Sequence, residues 1–311
     1  LSALGTDSTM LARMQSFAKH VKCVTSKPDS YPERAVVPPD VTDEDALPWN
    51  TTGCKPREEY APPYFDHPVV LSNNERLVSK TKGNNGWADP ACPRSVDWSA
   101  RVSHYGTILI DAATGYPMNP VGLTGMMGRG LLGKWGPNHA GDAIVTRCVE
   151  GKVQVVAIKR RDNGQWALPG GMKDHGESLA ATVIREFSEE AARPREGDKA
   201  DLSSERHASS MYVLDEMKAS GGSVIFKGYV DDPRNTDNAW METQAVHFDL
   251  RPDQWDRLHL GAGDDAAAVV WMDTDDSDPR YKNFYASHKH WVDYVKRHYP
   301  KDGDKKRTRS S

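Results

Sequence analysis

The chain has 311 residues, of which 27% are charged and 38% are hydrophobic, so it is long enough to bury a sizeable core. Its formal net charge of −4 provides no basic field, and we expect neither nucleic acid nor direct membrane contact. No apolar run approaches the roughly 18 residues that cross a bilayer. The four cysteines are too scattered for a paired motif and are interpreted as free thiols.

The N-terminal segment, residues 1–30, has two interpretations. Between Met10 and Ser26 it contains no acidic residue, and its apolar residues recur at helical spacing. These features are typical of a remnant of a mitochondrial targeting segment. A linker helix from a longer polypeptide would have the same pattern, so both interpretations stay open.

Residues 31–140 are predicted to form a loop-rich N-terminal subdomain. Much of this stretch is rich in proline and poor in periodic apolar runs, which favours extended structure. Aromatic residues such as Trp49, Tyr60 and Trp87 indicate that it packs against a core. Within it, the sequence at 128–133 satisfies the G-x-G-x-x-G pattern, but we expect neither a strand before it nor a helix after it. The pattern therefore does not predict a dinucleotide site.

The remaining chain alternates β-rich and helical patterns. The β-rich runs that predict strands lie at residues 143–149, 153–160, 224–230, 244–250 and 267–273. The first two runs flank a short turn and predict a hairpin. One helix is predicted to begin near Ser178 and another to span 281–299. We therefore expect an α/β domain over 141–300, with its mixed β-sheet sandwiched between helices, and a disordered basic tail at 301–311.

Three glutamates on the first predicted helix stand out. Glu186, Glu189 and Glu190 occupy positions i, i+3 and i+4, so their carboxylates project from one strip of the helix. Like charges this close repel one another, and clustered carboxylate oxygens are typical ligands of Mg²⁺ or Mn²⁺. Arg185 can pair with one carboxylate and hold it in place. A solvated acidic helix face is the alternative.

These residues carry a resemblance to a known family. Gly171, Glu177 and the run 185–190 match the spacing of the Nudix box from its first glycine to its paired glutamates. The sequence departs from the box at Ala192 and Arg193, which concerns the end of the helix and not the metal ligands. The chain thus resembles the Nudix hydrolases. That resemblance implies the Nudix fold and water attack on a diphosphate, with Mg²⁺ or Mn²⁺ as cofactor.

Longer segments resemble one branch of this family. They lie at residues 128–142, 228–243, 262–266 and 285–288. The branch contains the mitochondrial ADP-ribose pyrophosphatase and the homologous C-terminal domain of the ADP-ribose-gated melastatin-type TRP channel. The resemblance implies that the small-molecule ligand is ADP-ribose, which the enzyme splits into AMP and ribose 5-phosphate.

The resemblance also implies roles around the helix. Glu186 and Glu190 would be the main metal ligands, assisted by Glu189 and the backbone carbonyl of Gly170, and Arg185 would orient the glutamates. The general base stays open between Glu189 and the pair of aspartates in the loop before the last strand. Of that pair, Asp264 and Asp265, Asp265 is our candidate, and the alternative is that both are turn residues.

Substrate contacts are implied for six residues. They are Arg160, Asp232, Arg234, Tyr285, Ser287 and His288. An aspartate can accept hydrogen bonds from ribose hydroxyls, and an arginine can fork onto phosphate oxygens. The alternative for the segment 231–238 is a structural turn. Histidines 288, 290 and 298 otherwise fit a helix surface better than a zinc site.

Two classes of function fit this sequence. One is a free hydrolase, which would be mitochondrial. The other is a ligand-sensing domain on the cytoplasmic side of a membrane, with the rest of a tetrameric channel as its partner. In the branch that this chain resembles, the vertebrate channel domains have altered residues at the Arg-Glu-Phe and Glu-Glu positions of the Nudix box. In this chain the run 185–190 is intact. The intact box favours catalysis, and a channel whose sensor still hydrolyses its ligand stays open.

Overall fold

The computed structural model describes residues 62–72, 87–174, 176–192, 200–263, 266–285 and 287–298. The N-terminal segment 1–30, the tail 301–311 and the general-base candidates Asp264 and Asp265 lie outside these residues. The chain divides into a first unit, Leu1–His139 with Lys227–Thr243, and a second unit, Ala140–Phe226 with Gln244–Ser311. The domain boundaries predicted from the sequence stay a prediction.

The elements are strands and helices. The strands are β1 (Tyr64–Asp66), β2 (Leu109–Ile110), β3 (Pro117–Met118), β4 (Met127–Gly130), β5 (Gly136–Val149), β6 (Lys152–Arg160), β7 (Trp166–Ala167), β8 (Gly170–Met172), β9 (Ser223–Val230), β10 (Ala239–Asp249) and β11 (Ala266–Asp273). Residues 68–72 are helical, and the α-helices that follow are α1 (Leu179–Ala191), α2 (Ala200–Ser220), α3 (Pro252–Trp255), α4 (Pro279–Lys282) and α5 (His288–His298). This is an α/β fold, as predicted.

The central sheet has the strand order β11-β6-β5-β10-β9, with β7 beside β6 and β8 beside β5. β5 and β6 form the predicted antiparallel hairpin, with Thr146 opposite Val155. Its turn passes through Glu150 and Gly151, which have φ angles of 52° and 76°. Glycine adopts this left-handed conformation at little cost, which explains the tight connection.

The core of the second unit lies between strands and two helices. From α1 it takes Val183, Phe187 and Ala191, all fully buried. These residues recur every four positions, so one face of α1 packs on the sheet while the glutamates occupy another. Ser178 caps α1 by accepting a hydrogen bond from the Ala181 amide at 3.2 Å, which agrees with the predicted start of the helix.

Two helical features differ from the sequence predictions. The 21-residue helix α2 was not predicted, because its buried apolar residues, Val213, Leu214 and Met217, all lie near its C-terminal end. The prediction of a single helix over 281–299 is wrong, because this part of the chain forms two helices, α4 and α5. Between them, the amide of Tyr285 donates to the Trp166 carbonyl at 2.8 Å instead of to a preceding helical turn.

In the first unit, β1 pairs in parallel with β4 and β2 pairs with β3. The glycine pattern at 128–133 overlaps strand β4, contrary to the expectation that no strand leads into it. The residues after β4 form turns and bends, so no helix follows the pattern, as expected. A Cβ on Gly128 would lie 2.4 Å from the Phe65 carbonyl oxygen, so glycine is needed for the close approach of β1 and β4. None of the helices in the described part of the chain has both the length and the apolar character of a membrane span.

Candidate active site

The entry to α1 is shaped by glycines. Gly170 lies opposite Asp142 in the β8–β5 register, and a Cβ on Gly170 would lie 2.3 Å from that carboxylate. A Cβ on Gly171 would lie 2.5 Å from the Glu186 carboxyl carbon. The absence of side chains at Gly170 and Gly171 therefore lets two carboxylates approach the backbone of β8.

Arg185 lies at the centre of the acidic residues. Its Nε donates to Glu177 at 3.0 Å, and its Nη1 donates to Glu186 at 2.8 Å. The same Nη1 donates to Glu189 at 3.0 Å, while Nη2 donates to the Met172 carbonyl at 2.9 Å. The hydrogen bond to Glu177, together with the nearby carboxylates, raises the pKa of Arg185, so its charge is permanent. One arginine thus fixes three glutamates.

Glu177 has a positioning role that we did not assign from the sequence. Its carboxylate also accepts a hydrogen bond from the Thr182 hydroxyl at 2.8 Å. Burial works in the opposite direction, but the hydrogen bonds from Arg185 and Thr182 lower the pKa of Glu177 below its usual value. The available signal was its spacing of eight positions before Arg185, which places it at the turn into α1.

Glu190 and Glu186 are partly buried carboxylates with raised pKa values. Burial, and then the charges of Glu186 and Asp142, raise the pKa of Glu190 to about 7, although its Oε2 accepts a hydrogen bond from the Gly170 amide at 2.9 Å. Burial also raises the pKa of Glu186, against the opposing effect of Arg185. The site therefore holds more negative charge than its own cation balances.

This imbalance fits a divalent cation. Clustered carboxylate oxygens prefer Mg²⁺ and related hard cations. A bound cation would offset the burial and the carboxylate repulsion that together raise both pKa values. The donor set of Glu186, Glu189 and Glu190 is made of such oxygens. The predicted contribution of the Gly170 carbonyl stays a prediction, and the hydrogen bond described above involves its amide.

Asp142 and His288 form a buried pair that we did not predict as a pair. His288 is only 7% exposed, so the expectation that it lies on a helix surface is wrong. Its Nδ1 accepts a hydrogen bond from the Leu168 amide at 3.0 Å, and its Nε2 lies 3.6 Å from Asp142 Oδ1. A neutral His288 therefore carries its proton on Nε2, facing the carboxylate. Asp142 was detectable as a charged residue within an apolar strand.

Three of the predicted substrate residues lie close to one another. The Arg160 guanidinium lies 4.7 Å from the centre of the Tyr285 ring, and that ring is 5.6 Å from the ring of His288. The Arg160 guanidinium also donates hydrogen bonds to both Asp162 oxygens, at 3.0 and 2.6 Å. Its positive charge lowers the pKa of Glu190, against the larger effect of burial, which raises it. Ser287 lies immediately before α5 and is partly exposed.

Asp232 and Arg234 belong to the first unit and pair with each other. Arg234 Nε and Nη2 donate to the two Asp232 oxygens at 2.8 and 2.9 Å. The Asn235 amide donates to the Asp232 carbonyl at 3.0 Å, which is the turn geometry of the alternative interpretation. The Arg234 side chain is nevertheless 34% exposed, so its guanidinium stays accessible to a ligand.

The loop before Asp264 packs against the end of α1. The Gly263 amide donates to the Glu190 carbonyl at 3.2 Å, and a Cβ on Gly263 would lie 1.7 Å from the Glu189 carbonyl oxygen. Only a glycine backbone fits this contact. Gly263, which precedes the candidate general bases in the sequence, therefore lies beside α1.

Comparison with known families agrees with this arrangement. Residues 137–295 match the family description NUDIX domain, and residues 37–136 match the description NUDT9-like, N-terminal domain. The chain therefore belongs to the Nudix hydrolase family.

Individual relatives extend the comparison. The chain is 43% identical over 220 residues to nudix hydrolase 6 of Caenorhabditis elegans, covering 68% of this chain and 78% of the relative. It is 43% identical over 234 residues to the mitochondrial ADP-ribose pyrophosphatase of Rattus norvegicus, covering 67% of this chain and 63% of the enzyme. It is 41% identical over 258 residues to the transient receptor potential cation channel subfamily M member-like 2 of Nematostella vectensis, covering 75% of this chain and 15% of the channel. The chain thus spans less than two thirds of the length of the last two relatives.

Proposed function

We propose that this chain hydrolyses ADP-ribose to AMP and ribose 5-phosphate in the presence of Mg²⁺ or Mn²⁺. The observation that carries the proposal is the carboxylate cluster on α1, which Arg185 holds and which contains two partly buried glutamates with raised pKa values. The 43% identity to a mitochondrial ADP-ribose pyrophosphatase supports the choice of substrate.

The glutamates and Arg185 would prepare the site for a diphosphate. Glu186, Glu189 and Glu190, with the Gly170 carbonyl, would hold the cation, which neutralises the diphosphate and makes the attacking water more acidic. Arg185 keeps Glu186 and Glu189 in fixed positions through hydrogen bonds of 2.8 and 3.0 Å.

A proton acceptor is also needed. Glu189 is a candidate because its side chain is 45% exposed, so water can reach the carboxylate. Its Oε2 also accepts a hydrogen bond from Arg185 Nη1 at 3.0 Å, which holds the carboxylate in place. Asp265, with Asp264 beside it, is the other candidate.

Positively charged and aromatic groups would bind the substrate. Arg160 and Arg234 offer planar forks for phosphate oxygens, and each now pairs with an aspartate that a phosphate would replace or share. Tyr285 offers a ring face, while Asp232 can accept hydrogen bonds from ribose hydroxyls. Ser287 and His288 flank Tyr285 at the start of α5.

Product analysis tests the proposal. The full chain is incubated with ADP-ribose and Mg²⁺ or Mn²⁺, and the products are separated by ion-exchange chromatography. We expect equal amounts of AMP and ribose 5-phosphate, and no reaction when a chelator is present. ADP-ribose that stays intact across Mg²⁺ and Mn²⁺ concentrations would overturn the proposal.

A sensing domain is the second candidate. The 41% identity to the Nematostella channel, over 75% of this chain, favours it. In that case ADP-ribose binding would act on the rest of a tetrameric channel, at the cytoplasmic side of a membrane, whereas a free enzyme would be mitochondrial. Sequencing the parent reading frame separates the two, because a channel requires membrane-spanning segments in the same polypeptide.

A further inference from the structure

Two histidines and a glutamate meet in the first unit, outside the carboxylate cluster of α1. His104 follows the short 3₁₀ turn Trp98–Ala100, His139 lies on β5 and Glu242 lies on β10, the neighbouring strand. One nitrogen from each histidine and one oxygen from the glutamate all lie within 4.8 Å of one another. Three segments that are distant in sequence thus converge.

Glu242 is held in a single orientation. Its side chain is fully buried, and its Oε1 accepts hydrogen bonds from the Ser103 hydroxyl at 2.6 Å and the Trp240 indole at 2.9 Å. Its Oε2 accepts a hydrogen bond from the His104 backbone amide at 2.5 Å. Three donors on one carboxylate favour its charged form, so a negative charge is fixed inside the first unit.

The two imidazole rings are partly buried beside this carboxylate. They are stacked with their centres 4.5 Å apart and their planes at 29°. Both Nε2 atoms are buried, and neither has a hydrogen-bond partner among the described residues. The Nε2 of His139 lies 3.5 Å from Glu242 Oε2, which is an ion-pair distance without hydrogen-bond alignment.

Unmatched nitrogens of this kind require an explanation. A buried polar atom without a partner costs about 1–3 kcal/mol, and here each of the two rings beside Glu242 carries one. A neutral imidazole has a lone pair on one ring nitrogen, which can bind a metal. A cation that binds nitrogen and oxygen together would satisfy both rings and the glutamate.

We propose that His104, His139 and Glu242 bind a divalent transition metal of the zinc class. Imidazole ligands favour zinc-class metals over Mg²⁺, and two histidines with one carboxylate are an established zinc ligand set. Zn–N bonds of about 2.0–2.1 Å place tetrahedral ligand atoms ~3.3 Å apart, so those pairs of ligand atoms that are farther apart than this would need to move closer. The metal would join β5, β10 and the loop at His104, and would thus stabilise the first unit. This site is independent of the proposed hydrolysis.

Metal content measured on the full chain tests this proposal. The variant E186Q/E190Q serves as the background, because it weakens metal binding by the carboxylate cluster of α1. After zinc loading and dialysis, mass spectrometry of the metal should give one zinc per chain. Adding H104Q/H139Q should remove this zinc, while the matched control H207Q, a change at an exposed histidine of α2, should keep it.

A spectroscopic measurement avoids dependence on the folding of the variants. The E186Q/E190Q chain loaded with Co²⁺ should show the visible absorption of a four-coordinate ion, and added Zn²⁺ should abolish it while excess Mg²⁺ should not. Two results would overturn the proposal. One is the same zinc content with and without H104Q/H139Q, and the other is a folded E186Q/E190Q chain that retains neither Zn²⁺ nor Co²⁺. Either result would favour a proton shared between histidine and glutamate.

Discussion

At the scale of single residues, the missing side chain of Gly171 decides where the Glu186 carboxylate can lie. A Cβ at this position would lie 2.5 Å from the carboxyl carbon, which is closer than any real contact. The obstacle is the end of a flexible side chain and not backbone, so the carboxylate would move while the fold stays. Catalysis is therefore more sensitive than stability to a substitution at Gly171.

The variant Gly171→Ala tests this separation. Because Glu186 would be displaced from Arg185, we expect the turnover of ADP-ribose to fall by at least about tenfold, roughly 1.4 kcal/mol of transition-state stabilisation. The free energy of unfolding should change by less than about 1 kcal/mol. Parallel assays of turnover and urea denaturation check both expectations.

Gly106→Ala is the matched control, because a Cβ there would meet nothing within 4 Å. It should leave turnover and stability unchanged. Full activity of Gly171→Ala would mean that the position of Glu186 beside β8 is not required for the reaction.

Arg234→Lys tests substrate recognition. Lysine keeps the charge but cannot form the planar fork, so we expect the affinity for ADP-ribose to fall by about 1–3 kcal/mol, the range for a charge-assisted hydrogen bond. The rate at saturating substrate should change little, because the carboxylates of α1 are untouched. Titration calorimetry with Ca²⁺, which limits turnover, measures the affinity.

The chain contains a matched control for this variant. Arg280 forks onto Asp278, at 3.1 and 2.7 Å, in a second Asp-Pro-Arg turn with the same local geometry. Arg280→Lys should therefore leave the affinity unchanged. Equal affinities in both variants and the parent chain would mean that the turn at Asp232 is purely structural.

At the scale of elements, local signals were predictable and long-range ones were not. The hairpin of β5 and β6 and the start of α1 at Ser178 depend on residues close in sequence, and both predictions are confirmed. The division between α4 and α5 depends on a hydrogen bond from Tyr285 to Trp166, which lies far away in the chain. The pairing of Asp142 with His288 has the same origin. No periodicity in the sequence reports such contacts.

The packing of β5 with β10 creates a pH-dependent contact. The Thr146 hydroxyl and His247 Nε2 are 2.7 Å apart, and burial lowers the pKa of His247 to about 4. An unfolded histidine titrates near 6.5, so between pH 6.5 and pH 4 the unfolded chain binds a proton that the folded chain does not. The free energy of unfolding is therefore highest above pH 6.5 and decreases as the pH falls towards 4.

His247→Gln should remove this dependence. We expect His247 to account for a loss of about 2 kcal/mol in the parent chain between pH 7.5 and pH 5, given 1.36 kcal/mol per pKa unit. Urea denaturation at both pH values measures the loss, which should be smaller in His247→Gln by that amount. His207→Gln, at an exposed position, should behave like the parent chain. Parallel stability curves for the parent and His247→Gln would contradict this explanation.

At the scale of the whole molecule, the residues proposed for metal binding and two of those proposed for substrate binding belong to different units. The carboxylates of α1 belong to the second unit, while Asp232 and Arg234 belong to residues 227–243 of the first. The sequence alone did not predict that this segment joins the N-terminal part, because a chain that returns to an earlier unit leaves no local pattern. The residues of the segment were instead located by family resemblance.

The most direct test of the account compares the parent chain with E189Q/E190Q. Both substitutions keep side-chain size and remove charge, so the cation ligands weaken while Asp232 and Arg234 are unchanged. Turnover of ADP-ribose with Mg²⁺, measured as AMP released, should fall by about a hundredfold or more. Calorimetric affinity for ADP-ribose in Ca²⁺ should fall much less. Hydrolysis by E189Q/E190Q at the rate of the parent chain would show that α1 carries only a solvated acidic face, and would contradict the account.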